Sequence, residues 1–517
     1  MARLTARRGE LAVRMALGAG RRRIVRQLLT EAVVLSLLGA AFGVLLARLA
    51  VDAALPLVPE RALARTGDIV IDLHVTAFCL GLALLSSVLV GLVPALRISG
   101  SAFGEGRLVH AGEARTTGDR HGERLRTLLV TTQMALTLVL LIGAGLLIHS
   151  FLRLTAVSPG FESSGEHGVV QTIRVTLPER LYDEPARIHA FARGVLDRIQ
   201  SLPGVRSASL NNMTPFGPMF IKGDFGIEGQ PPPKLYVGKP KIDAGYFKTM
   251  GIPLLAGREF TPADTAEAPK VAIVSERLVR EYFPRGPADA LGRRVRSGGD
   301  GDLMTIVGVV ADVRQFGLDQ EPEAMLYVPF QQENAAFFLQ FVSFVVRTTT
   351  PASVVEGVRT EIRRAAPDLP IESTATMDEA VAASVAEPRF RTLLLALFAI
   401  AATLIATCGI YGLMAYAVTQ RRREIGVRMA LGAEQRDVLR LVLMRALRVV
   451  AAGVLLGLAG AFAVTRVLQT FLFEVKPTDP LAFTLVTLVL MAVGLTAAWL
   501  PARRATRIDP VAALRAE

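Results

Sequence analysis

The sequence predicts an α-helical membrane protein with six transmembrane helices and one large extracytoplasmic α+β domain between helices 3 and 4. Three observations predict it. Apolar side chains make up 51% of the 517 residues and gather into long runs, the central stretch 150–388 carries no such run, and arginines cluster where the runs end. With only 20% charged residues and a mean hydropathy of +0.42, the chain is more apolar than an ordinary soluble protein.

Crossing a hydrocarbon layer of ~30 Å takes roughly 20 helical residues. Six runs meet that length, near 29–51, 75–96, 127–149, 392–418, 442–468 and 481–500. The basic clusters are Arg7 to Arg26, Arg97 to Arg126, Arg421 to Arg440, and Arg503 to Arg515. Six crossings that begin inside put all four clusters on one side, and the positive-inside rule makes that side the cytoplasm. Both termini are then cytoplasmic, and helix 29–51 itself directs insertion, because the chain opens on an arginine-rich segment rather than a signal-peptide core. The net charge of +12 does not point to nucleic acid, since the arginines are neither spread over a folded surface nor interleaved with aromatic residues. Cys79 and Cys408 both fall inside apolar runs and are expected to be buried small residues.

A duplicated stretch organises the chain. Arg8-Gly-Glu-Leu-Ala-Val-Arg-Met-Ala-Leu-Gly-Ala19 returns as Arg422-Arg-Glu-Ile-Gly-Val-Arg-Met-Ala-Leu-Gly-Ala433, so Glu10 aligns with Glu424, Arg14 with Arg428, Met15 with Met429, Leu17 with Leu431 and Gly18 with Gly432. Each copy reads as a short amphipathic helix. Glu and Arg form an i,i+4 pair in the favourable order, Leu11, Met15 and Gly18 or Ile425, Met429 and Gly432 line another face, and Gly-Ala ends the helix. In the crossings that follow, Gly39 and Gly43 align with Gly453 and Gly457, a spacing that lets two helices approach closely. Leu92-Val-Pro94-Ala-Leu-Arg97 likewise resembles Trp499-Leu-Pro501-Ala-Arg-Arg504, which carries the duplication through two crossings per copy.

The middle region alternates in Val169–Leu177, Lys270–Val274 and Met304–Val310, separated by helical stretches such as Pro185–Leu202 and Val354–Ala366. It is large enough for two subdomains. No run of glycines followed by Lys and Ser or Thr is present to cradle nucleotide phosphates, and the six histidines show no metal spacing. No catalytic group, cofactor or metal is therefore expected. His149 falls at a membrane edge, where an interfacial role is expected. Glu31, Arg48, Arg445, Arg448 and Arg466 lie near the ends of crossings, where they can snorkel, so a proton-driven transporter has little support.

Together these residues resemble the MacB/FtsX class of ABC permeases. The resemblance is carried by Glu424 to Ala433, by Arg507-Ile-Asp-Pro-Val-Ala-Ala-Leu-Arg515, and by the outer pattern Tyr246-Phe247, Met250-Gly-Ile-Pro-Leu-Leu-Ala-Gly-Arg-Glu-Phe260, Asp264, Val271-Ala-Ile-Val274, Tyr282-Phe283-Pro284, Gly292 and Val307-Gly-Val-Val-Ala-Asp312. Two units in one chain resemble the duplicated permeases of acidobacteria. The resemblance implies a coupling-helix segment at 1–26, two FtsX-like helices over 27–98, a cytoplasmic linker at 99–126, and a helix at 127–149 opening the second unit. A MacB-like periplasmic core domain at 150–388, three FtsX-like helices over 389–504 with a coupling helix at 421–433, and a tail at 505–517 would follow. On this reading the first unit lacks its N-terminal part.

The resemblance further implies that the repeated segments dock on a cytoplasmic ABC ATPase subunit, itself expected to be a dimer, through Glu10, Arg14, Met15, Leu17, Gly18, Glu424, Arg428, Met429, Leu431 and Gly432. An interfacial helix with no partner is the alternative. The chain is expected in the bacterial inner membrane, surrounded by lipid, as a permease subunit of an export or mechanotransmission system with a periplasmic adaptor or envelope enzyme as a further partner. An FtsX-like signalling subunit and a truncated inactive remnant remain open as alternatives.

Overall fold

A computed structural model describes residues 21–54, 72–100, 119–230, 236–298, 301–420, 422–432 and 434–506. The chain forms two compact units, Leu152–Glu387 and the flanking Met1–Phe151 with Pro388–Glu517. In chain order the principal helices are α1 (Arg21–Ala54), α2 (Leu73–Gly100), α3 (Asp119–Thr155), α4 (Pro185–Gln200), α5 (Pro351–Ala365), α6 (Ala386–Gln420), α7 (Arg422–Ala430), α8 (Gln435–Leu468) and α9 (Pro480–Ala505).

Among the described residues five helices are long and apolar enough to cross a membrane: Leu29–Asp52, Arg124–Thr155, Ala386–Gln420, Gln435–Phe471 and Pro480–Arg504. The run expected at 75–96 lies within helix α2, where the apolar helical stretch is the shorter Leu73–Leu85. Five flanking apolar helices and an α+β domain are thus established.

Four of these helices share a core. Met134, Leu138, Ile142 and Leu146 recur every fourth residue of α3 and are fully buried against Ala406, Ile410 and Met414 of α6, Ala446, Val450 and Ala461 of α8, and Leu490 and Ala498 of α9. That spacing keeps one stripe of a helix facing its neighbours. By contrast the described part of α1 that meets the crossing criterion buries none of its length. Cys408 of α6 is exposed and Cys79 of α2 half-exposed, contrary to the expectation that both are buried; neither belongs to this core.

The unit Leu152–Glu387, called the outer unit after its expected side of the membrane, contains strands β1 (Ser164–Gly165), β2 (Gly168–Thr176), β3 (Val205–Asn211), β4 (Lys222–Ile227), β5 (Tyr236–Gly238), β6 (Lys241–Ile242) and β7 (Leu254–Gly257). It continues through β8 (Val271–Ser275), β9 (Arg294–Ser297), β10 (Leu303–Val310), β11 (Leu326–Pro329), β12 (Phe341–Thr348) and β13 (Ile371–Thr376). They join in one sheet of order β1-β2-β12-β3-β6-β11-β8-β10-β9-β4-β5, with β13 also paired to β2 and β7 to β10. Most pairs are antiparallel, whereas β8 with β10 and β6 with β11 are parallel.

Two apolar cores lie along this sheet. In one, Ile188, Leu196 and Ile199 of α4 and Val354, Val358 and Ile362 of α5 cover Ile173, Phe344 and Val346. In the other, Leu278 and Phe283 cover Phe225, Val274, Ile306 and Leu326. A side chain fully buried in such a core contributes about 1.5–3 kcal/mol relative to leaving it in water.

Candidate functional site

Helix α7 lies between α6 and α8, and its ends follow from its sequence. Glu424 stands in the first turn and Arg428 in the last, each the favourable charge for its end of the helix dipole. The Arg428 guanidinium donates to Glu424 Oε1 at 2.6 Å; with both side chains about half exposed, the pair contributes only ~0.3–0.5 kcal/mol. Gly432, at a φ of +98°, then breaks the helix in a conformation that other residues rarely adopt. Its amide donates to the Met429 carbonyl at 3.1 Å. Glu434 and Asp437 form a reciprocal cap that starts α8.

The helix has an inner and an outer face. Ile425, 4% exposed, is buried against Val438 of α8, with Val418 and Met429 packed beside it. On the other side Val427 is 40% and Leu431 83% exposed, next to Glu424 and Arg428. Of the residues singled out from sequence, Glu424, Arg428 and Leu431 therefore share the outward face. Met429 is half-buried on the inner face, and Gly432 ends the helix. Val427 completes the outward face and was not singled out. Its signal was the invariant Val13/Val427 pair in the repeat. Glu10, Arg14, Met15, Leu17 and Gly18 lie outside the described residues.

The two aligned glycine pairs differ. A Cβ added at Gly453 would stand 2.6 Å from Met134 Cβ, and one at Gly457 would stand 2.9 Å from both the Ala135 carbonyl oxygen and Leu138 Cβ. Helices α3 and α8 thus meet backbone to side chain across this spacing. At Gly39 and Gly43 no described residue lies within 4 Å of an added Cβ. The equal spacing in sequence does not ensure an equal neighbour, because α1 contributes nothing to the four-helix core.

Polar contacts tie the same four helices at both ends. His149 of α3 pairs with Asp479 at 2.7 Å, and Ser150 Oγ accepts a hydrogen bond from the Phe473 amide at 2.8 Å. Toward the opposite end the Arg504 guanidinium donates to Tyr411 Oη at 2.9 Å, and Arg126 lies over the Tyr416 ring at 4.0 Å. Amphipathic aromatic and arginine side chains are characteristic of membrane–water boundaries.

Side chains of the 246–312 sequence pattern hold backbone in place. Arg258 donates both terminal nitrogens to Asp264, at 2.8 and 2.9 Å, and the Thr261 amide donates to the same carboxylate at 2.8 Å. Burial works to raise the Asp264 pKa, but these donors and the Arg258 charge hold it below the usual carboxylate value. Asp312 accepts from the Arg277 amide and from the Arg280 guanidinium, both at 2.6 Å, pinning the start of helix Glu276–Tyr282. Gly257, at a φ of +79°, has the Val307 carbonyl oxygen where a Cβ would stand. Among the described residues no group of three or more His, Cys, Asp or Glu is arranged to hold a metal.

Known proteins resemble parts of this chain. The family model for the FtsX-like permease C-terminal region matches residues 1–103 and again 396–510, and that for the MacB-like periplasmic core domain matches 127–365. A macrolide export ATP-binding/permease protein MacB of Chromobacterium violaceum is 31% identical over 285 residues, which is 53% of this chain and 43% of that protein. A probable export ATP-binding/permease protein of Pseudomonas fluorescens is 26% identical over 275 residues, 52% of this chain and 42% of that protein. The chain thus spans under half the length of these curated relatives. The crystal structure of the periplasmic region of MacB from Actinobacillus actinomycetemcomitans aligns at 14% identity and a TM-score of 0.31, covering 44% of this chain and 95% of that one. With FtsX-like regions on both sides of a MacB-like core domain, the chain belongs to the MacB/FtsX-type ABC permeases.

Proposed function

We propose that this chain is the permease subunit of an ABC-type export or mechanotransmission system, in which a separate cytoplasmic ATPase drives movement of the outer domain. The observation that carries the proposal is the outward face of α7. Val427 and Leu431 are exposed beside the Glu424–Arg428 pair, while Ile425 fixes the opposite face to α8. An apolar pair flanked by charges on an anchored helix suits a partner's groove better than open water. Segment 9–19, which repeats it, supplies the equivalent docking face for the second subunit of an ATPase dimer. On this reading nucleotide chemistry belongs to that partner; these 517 residues contain no phosphate-binding loop.

The arginine clusters favour an inner-membrane orientation with both termini and α7 in the cytoplasm. Helix α2 then completes a sixth crossing, and the MacB-like domain stands on the periplasmic side, where an adaptor or an envelope enzyme is its partner. Names of the curated relatives favour export over signalling.

Co-expression with the candidate ATPase tests the reading. Val427→Asp with Leu431→Asp should abolish co-purification and the permease-dependent component of ATP hydrolysis while membrane insertion persists. Unchanged co-purification would remove α7 as the docking helix.

A further inference from the structure

A groove of about 460 Å³ runs between the C-terminal half of α5 and strand β13 in the outer domain. Three features of it are independent of one another. Strand β13 pairs with β2 and with no other strand among the described residues, so its outer edge presents unpaired amides and carbonyls. Arg359 and Arg363, one turn apart on α5, line the facing wall. Arg363 has no carboxylate partner among the described residues, and Arg359 reaches only Glu356, at 3.7 Å. Thr374, opposite Ile173 in the β-ladder, also lines the groove, and its hydroxyl is buried without a hydrogen-bond partner.

An unpaired strand edge is a template for one more strand, and an added strand satisfies main-chain groups whatever its sequence. Side chains on alternate residues of such a strand point to the helix wall, where two guanidinium groups select carboxylates. Asp368 and Glu372 also border the groove, on its loop and strand side. The positive wall is therefore the helix and the carboxylates lie on the opposite side, so an added strand places its acidic side chains toward α5. We infer that this groove binds an extended acidic polypeptide segment of a partner protein, which adds to the edge of β13 and sets a carboxylate between Arg359 and Arg363.

This inference does not depend on the ATPase reading, since every residue in it belongs to the outer unit. The test uses the full-length protein in detergent and three fluorescein-labelled capped hexapeptides, read by anisotropy. One alternates valine with glutamate, one replaces glutamate with lysine, and one keeps glutamate but carries N-methyl groups on alternate amides. The valine–glutamate peptide should bind saturably, and the other two at least about tenfold more weakly. Arg359→Ala with Arg363→Ala should weaken the first peptide by about tenfold or more at an unchanged thermal midpoint, with partial recovery in the double lysine variant. Three results would overturn the inference: no saturable binding up to about 1 mM, equal binding of the N-methylated peptide, or full binding by the double alanine variant. Self-association of the protein competed by the peptide would reassign the edge to a second copy of this chain, and so would also overturn it.

Discussion

Gly453 of α8 lies so close to Met134 of α3 that a side chain on the glycine would have to displace the methionine, whose Cβ is 2.6 Å from where a Cβ would stand. Met134 is fully buried and held on its other sides by the four-helix core. Gly453→Val should therefore overpack this crossing at a cost of about 1–3 kcal/mol. A lowered thermal midpoint of the detergent-solubilised protein checks this, with Gly39→Val as the control, since open space at Gly39 should leave the midpoint unchanged.

Charge on α7 should matter for partnership rather than for folding. The Glu424–Arg428 pair is solvent-exposed, so Glu424→Lys or Arg428→Glu should change stability by less than about 0.5 kcal/mol. Either should uncouple ATP hydrolysis from transport in membranes containing the ATPase, at normal levels of inserted protein. Failure to insert would instead assign the pair to helix anchoring at the membrane surface.

A lysine in the outer domain predicts a pH dependence. Lys239 is 8% exposed, and burial, followed by the charge of Lys241, brings its ammonium from 10.5 down to about 8. Lys241 itself is paired with Glu333 at 2.6 Å. Because the folded state binds the Lys239 proton less tightly than the unfolded state, its penalty is complete below pH 8 and is relieved as pH rises from 8 toward 10.5. Lys239→Met should thus stabilise the protein by about 2 kcal/mol at neutral pH, with a gain that shrinks above pH 8. Denaturation midpoints of both proteins across that range measure it.

Asp264 works in the opposite sense. Its carboxylate is stabilised by Arg258 and Thr261, so the folded pKa lies below the ordinary 3.8. The resulting stability is present above that value and is lost as pH falls through the folded pKa. Asp264→Asn should cost about 1–3 kcal/mol at neutral pH. The difference from the parent protein should narrow in acid, where both carry a neutral side chain at 264.

Periodicity and charge made much of this architecture legible. Long apolar runs located the five long apolar helices, and alternation located β2, β8 and β10 within a residue or two, because burial on one side leaves a period in the sequence. Sheet order was not legible. The parallel pairing of β8 with β10 and of β6 with β11 depends on which distant strands meet, and nothing local records that. For the same reason the His149–Asp479 contact, across 330 positions, could not be read from a histidine at a membrane edge. In α7 the repeat named Glu424, Arg428 and Leu431 but could not distinguish the facing of Met429 from that of Val427. Both are apolar and both recur, and only the position of Val438 decides which one turns inward.

The seating of Ile425 on Val438 also has a mechanical consequence. Val438 and Gly453 are on the same helix, and at ~1.5 Å of rise per residue the contact with α7 and the contact with Met134 are separated by about 22 Å. Helix α8 is thus held in its first turn and again near its middle. On the proposed docking role, a push on Leu431 that tilted α8 would meet, at Gly453, a glycine backbone set against the Met134 side chain without clearance, and α3 would share the movement.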